Sequence, residues 1–97
     1  MIGELTNRQV YLACGATDLR RGIDGLAVLV REQFDLDPFS SCLFVFCNRN
    51  RDKLKCLFWD VNGFWLLQRR IEKGRFDWPQ DGQTPMNISY RQLRWLM

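Results

Sequence analysis

Residues Arg49–Arg75 read RNRDKLKCLFWDVNGFWLLQRRIEKGR, and the way this stretch pairs with itself decides the fold. Asn62-Gly63 divides it into two arms, one carrying Phe58 and Trp59, the other Phe64 and Trp65. A type I′ turn needs positive φ at both central residues, which Asn and Gly tolerate, so the dipeptide predicts a β-hairpin with strands Leu54–Asp60 and Phe64–Glu72. Eight of the fourteen basic residues lie in this stretch, against three acids, Asp52, Asp60 and Glu72.

With Asn62-Gly63 as a two-residue turn, one side of the ribbon pairs Val61 with Phe64, Trp59 with Leu66, Leu57 with Gln68 and Lys55 with Arg70. The other side pairs Asp60 with Trp65, Phe58 with Leu67, Cys56 with Arg69 and Leu54 with Ile71. The second side is the more apolar and is expected to pack on a helix. The first side is apolar near the turn and basic at its far end. Lys55 opposite Arg70 is a like-charge pair, unfavourable for folding alone. Arg49, Arg51 and Lys53 in the preceding loop lie near the same end. Gathering cations there suits an anionic partner. A plain solvated face is the alternative reading.

Charge is distributed unevenly over the rest of the chain. Residues 1–48 hold four bases and six acids, and residues 76–97 hold two of each, so the total of +3 hides an acidic first half and a basic middle. Apolar residues make up 46% of the 97, enough for one folded domain spanning residues 1–97. No apolar run approaches the roughly 20 residues of a membrane span, and the Met1–Glu4 start shows no leader, so a cytoplasmic protein is expected. Cys14, Cys42, Cys47 and Cys56 show no C-x-x-C spacing and the chain has no histidine. Buried thiols are expected, with no metal and no cofactor.

Other segments complete the pattern. Arg8–Ala13 is a strand candidate. Leu19, Ile23, Leu26, Ala27, Val30 and Phe34 recur at spacings of three and four, predicting an amphipathic helix over Leu19–Phe34, capped by Thr17 or Asp18. Gly22 and Gly25 would allow close approach of its first turns to a strand. Cys42–Cys47 (CLFVFC) is apolar throughout and reads as a central strand buried on both faces. Phe76-Asp77-Trp78-Pro79 reads as an edge strand and Gln80–Met86 as a loop. Ser89 and Gln92 have capping-box spacing and open a short helix with Leu93, Trp95 and Leu96. The expected fold is α+β: an antiparallel sheet of four or five strands, one amphipathic helix packed on a face, and a short C-terminal helix.

TDLRRGIDGL (Thr17–Leu26), DPFSSCLFVFCNRNRDKLKCLFWDVNGFWLLQRRIEKGRF (Asp37–Phe76), Trp78-Pro79 and ISYRQLRWLM (Ile88–Met97) together resemble the small TnpB-type accessory protein of the sixty-six family of bacterial insertion sequences. This is not the RNA-guided nuclease with the same label. The resemblance runs from about Val10 to Met97. Ser41 stands where the family tends to have glycine, and the family's L-D-G-type tail is absent after Met97. The resemblance implies a protein encoded beside a larger DDE-type transposase, supporting transposition without catalytic residues of its own.

The residues agree with a non-enzymatic role. Asp18, Asp24, Asp60 and Asp77 are scattered, no histidine could serve as general base, and no glycine-rich phosphate loop is present. Arg20 and Arg21 read as solvated, or paired with Asp18 and Asp24, ahead of a phosphate contact. Two functions are expected. The first is an accessory factor for DNA transposition that contacts DNA through Arg49, Arg51, Lys53, Lys55, Arg69, Arg70 and Arg75. The second is a protein-interaction module that docks on the transposase, or on a second copy, through the aromatic face of Trp59, Phe64 and Leu66. Trp59, on the mixed face with Lys55 and Arg70, is the best candidate for stacking on a base.

Overall fold

The computed structural model describes residues 5–82 and 84–97. The Met1–Glu4 start, and Gln83 within the expected loop, lie outside the described residues. Strands β1 (Val10–Leu12), β2 (Leu43–Cys47), β3 (Lys53–Asp60), β4 (Gly63–Arg70) and β5 (Met86–Ile88) form one sheet in the order β4-β3-β2-β1-β5. Helix α1 (Ile23–Glu32) joins β1 to β2, and helix α2 (Tyr90–Leu96) ends the chain. The class is α+β, as expected. One pairing departs from the antiparallel expectation: β1 and β2 run parallel, with Val10 beside Leu43 and Leu12 beside Val45. A parallel pair needs a crossover connection, and the segment containing α1 supplies it.

β2 is buried at all five positions because both faces of the sheet are covered. Phe44 and Phe46 join Leu26, Leu29, Val30 and Phe34 of the α1 side in one core. Leu43, Val45 and Cys47 join Phe76, Trp78 and Leu93 in the other. Burying a side chain of this size contributes about 1.5–3 kcal/mol, so the central strand is the main anchor of both layers.

The hairpin forms, but its turn is Val61-Asn62, at φ 38° and 69°, and Asp60 pairs with Gly63. The expected register is therefore off by two residues. A slip of two keeps every side chain on its face, so the face assignments survive while the partners change. Trp59 now opposes Phe64, and Phe58 opposes Trp65. These aromatic cross-strand pairs favour the observed register. Val61 takes the left-handed conformation that a β-branched residue tolerates poorly, and is 85% exposed at the tip.

The covering layers are the reverse of the expectation. Leu57, Phe64 and Leu66 pack with α1. Leu54, Cys56 and Phe58 belong to the opposite core. Alternation shows which residues share a face, but not which layer covers it. Phe76-Asp77-Trp78-Pro79 is a strap anchored by the buried Phe76 and Trp78 rather than an edge strand. Trp78 Nε1 donates to Ala13 O at 2.9 Å, and Gly15 N donates to Pro79 O at 2.8 Å. The edge strand beside β1 is β5, which begins at the end of the expected loop.

Helix α1 starts four residues later than predicted, with Gly22 at its N-cap and no side-chain cap. Asp18 instead accepts from the Arg20 N–H at 3.0 Å. Lys55 Nζ donates to the carbonyls of Leu19 (2.6 Å) and Arg21 (3.2 Å). Both bonds hold the segment in a turn rather than a first helical turn. A Cβ on Gly22 would meet nothing within 4 Å and one on Gly25 only the Arg21 side chain, so neither glycine brings the helix onto a strand. The α2 cap is as expected: Gln92 N donates to Ser89 Oγ, and Ser89 N to Gln92 Oε1.

Candidate nucleic-acid interface

The basic end of the hairpin forms one wall of a cleft of about 560 Å³. Thr17 N donates to Cys47 O at 2.8 Å, which brings the Ala16–Arg20 loop to the end of β2. That loop faces the turn from Asn48 to Lys53. The cleft lies between them, floored by Lys55 and Gln68 of the hairpin.

The Asn48–Lys53 turn is fastened by its own side chains. Asn48 Oδ1 accepts from Asp52 N and Lys53 N, both at 3.0 Å, and Asn48 Nδ2 donates to Asp52 Oδ1 at 2.6 Å. Asp52 is thus engaged by an amide. Arg51 sits at φ 58°, and its carbonyl accepts from Phe76 N at 2.7 Å, tying the turn to the strap.

Four cations line the cleft, Arg20, Arg49, Lys53 and Lys55, with one carboxylate, Asp18. Asp18 and Arg20 form a fork-like pair with contacts of 2.8 to 3.2 Å. The Arg20 hydrogen bonds hold the Asp18 carboxyl down at about 2. Among the described residues, Arg49, Lys53 and Lys55 have no carboxylate within 4.0 Å. The cleft therefore carries uncompensated positive charge beside the polar groups of Thr17, Asn48, Asn50 and Gln68. Such a lining offers charge and hydrogen-bond donors of the kind that suit anionic oxygens, and it includes no aromatic ring.

The seven basic residues singled out by sequence do not form one cluster. Arg49, Lys53 and Lys55 meet at the cleft. Lys55 opposes Gln68, and Lys53 opposes Arg70, so the expected Lys55–Arg70 pair is replaced by another like-charge pair. Arg70 is also paired with Glu72 at 3.1 Å. Arg69 opposes Leu54, and so points to the other face of the sheet. Arg51 and Arg75 lie by the strap.

The tip of the hairpin is built differently. Trp59 and Phe64 meet Phe39 in a three-ring cluster, with centroids 5.0 to 5.3 Å apart. Trp59 packs on these neighbours about 13 Å along the strand from Lys55, and is not among the residues that line the cleft. Leu66 packs against the α1 core. Arg8, which the sequence did not single out, donates to Trp59 O at 3.0 Å and Asp60 Oδ1 at 3.1 Å, and lies over the Phe58 ring. Nothing in the sequence links Arg8 to residues some fifty positions away.

All four cysteines are thiols. Desolvation pushes Cys47 up to about 11 and Cys56 up to about 12, so both stay neutral. Among the described residues no group of His, Cys, Asp or Glu could hold a metal ion, and no helix is long and apolar enough to cross a membrane.

Residues 8–97 match the family described as IS66 Orf2 like protein. Two uncharacterized proteins of Sinorhizobium fredii are similar. One, y4hO, is 38% identical over 91 residues, covering 94% of this chain and 79% of its own length. The other, y4jC, is 35% identical over 89 residues, covering 90% and 76%. No solved structure shows a significant match. With nearly the whole chain matched, the protein belongs to the IS66 Orf2-like family of insertion-sequence accessory proteins.

Proposed function

We propose that this protein is a single-domain, non-catalytic, cytoplasmic factor that supports transposition of its insertion sequence by holding the DNA backbone. The supporting observation is the cleft, where four cations meet one carboxylate that is already engaged by Arg20. Arg49 and Lys53 are both exposed and line the cleft, which suits them to contact phosphates directly. Lys55 supports the Ala16–Arg20 wall through its two carbonyl contacts. Arg51, Arg69, Arg70 and Arg75 extend the basic surface around this end. Backbone contacts carry no base code, so binding should be strongly salt-dependent and weakly sequence-dependent.

Fluorescence anisotropy with a duplex from the element end and a scrambled duplex tests this. Binding should be seen at about 50 mM salt and weaken steeply by about 200 mM. Arg49→Glu with Lys53→Glu should flatten the salt slope by about two. An absence of binding at low salt, or an unchanged slope in the double variant, would sink the reading.

A second reading rests on Phe39, which is 48% exposed although it caps the Trp59–Phe64 pair. An exposed aromatic cluster suits a protein interface, with the transposase of the element as partner. Co-purification with the transposase that is lost in Phe39→Ala and indifferent to salt favours this reading.

A further inference from the structure

Strand β4 is an edge of the sheet, paired along its whole length with β3. The opposite edge is short: β5 has three residues and follows Pro85, which has no N–H. β4 is eight residues long and contains no proline, and its register is unbroken from Gly63 to Arg70. Trp65 and Leu67, on the side away from α1, are 43% and 37% exposed. A two-residue loop closes on a hydrogen-bonded pair, and pair types then alternate. By that alternation Phe64, Leu66, Gln68 and Arg70 turn their N–H and C=O groups to the open edge.

We propose that a second copy of the chain occupies this edge, β4 against β4, antiparallel about a twofold axis at Leu66. The strand is aromatic in its first half, at Phe64 and Trp65, and basic at its end, at Arg69 and Arg70. Parallel pairing would set the arginines beside their own copies. Antiparallel pairing sets Phe64 of each copy opposite Gln68 of the other, and Trp65 opposite Leu67. The two exposed apolar side chains then cover each other, and the cations separate. A twofold axis perpendicular to the sheet also leaves both basic clefts on one face of a ten-stranded sheet. Edge pairing buries less than a standard interface, which places the dissociation constant on the order of 10 µM.

Sedimentation velocity of the full chain, from about 1 to about 300 µM, spans that constant. The wild type should shift from monomer to dimer across the range, at both low and high salt. Leu67→Lys should remain monomeric at the highest concentration. So should Gln68→Pro, which removes an outward donor while sparing the β3 ladder. Far-UV circular dichroism checks that each variant is folded, and Leu67→Lys, which changes an exposed side chain and keeps the backbone N–H bonded to β3, decides if the proline variant is not. A wild type that stays monomeric throughout overturns the proposal. So does a folded Leu67→Lys that dimerises like the wild type, or a monomer that takes up the transposase on this edge.

Discussion

The two ends of the hairpin are made from the same two strands and solve opposite problems. At the tip, Asp60 is matched by Arg8, and Trp59 and Phe64 are closed over by Phe39. At the base, Lys53 opposes Arg70 and Arg49 stands nearby, with the one cleft carboxylate already taken by Arg20. The tip pairs its charge within the fold and packs Trp59 and Phe64 against Phe39, which stays half-exposed. The base leaves charge over, at some cost to folding. Residues that a fold does not need for itself are the better candidates for a ligand.

Substitutions at the two ends should therefore separate stability from binding. The largest effect is expected at the base: Arg49→Glu with Lys53→Glu should weaken DNA binding about 100-fold through lost contacts and new repulsion. The urea midpoint should barely move, and a matching loss of stability would break the contrast. Next is the tip. Arg8→Ala removes charge-assisted bonds to Trp59 O and Asp60. It should cost about 2 kcal/mol in urea unfolding, with DNA affinity kept. Third, Val61→Gly relieves a left-handed β-branched residue and should stabilise by about 1 kcal/mol. No gain would mean that the tip is not strained. Smallest is Asp18→Asn, which frees Arg20 and should raise DNA affinity about threefold in anisotropy titrations, one charge being added to a screened surface.

A pH experiment adds a reference point between the two ends. Cys56 lies midway along β3, and Cys47 at the end of β2. Both thiols have folded values raised by desolvation above the ordinary 9.0. The neutral form is thus favoured by folding, and this contribution is complete below pH 9. It is lost as pH rises through 9 toward 11 and 12, because the unfolded thiols ionise first. The urea midpoint should fall over that window, and Cys56→Ala should flatten the fall.

Much of the fold was legible. The CLFVFC run announced a strand buried on both faces, the Ser89–Gln92 box announced α2, and Asn62-Gly63 announced a hairpin. The errors share a cause. The turn dipeptide suggested Asn62-Gly63 as the loop, yet ring pairing across the strands and Phe39 packing favour Val61-Asn62. Helical periodicity ran back to Leu19, but the Lys55 contacts to two backbone carbonyls hold that segment open. Of the candidate site, Arg49, Lys53 and Lys55 were found as a group, because they are close in sequence. Arg20, Asn50 and Gln68 were not joined to them, because their proximity depends on how the β2 end meets the Ala16–Arg20 loop.

The sequence by itself determined which residues share a face of each strand, which segments are apolar enough for the centre, and which family the chain resembles. These follow from local periodicity and motif, which a two-residue slip leaves unchanged. Only the tertiary structure decided the register, the layer covering each face, the parallel β1–β2 pair, and the division of the hairpin into a tip whose charge is paired and a base whose charge is left over. Those depend on contacts such as Arg8 with Asp60, 52 residues apart. Their energies come from burial and pairing across the fold, and no short stretch of sequence contains both partners.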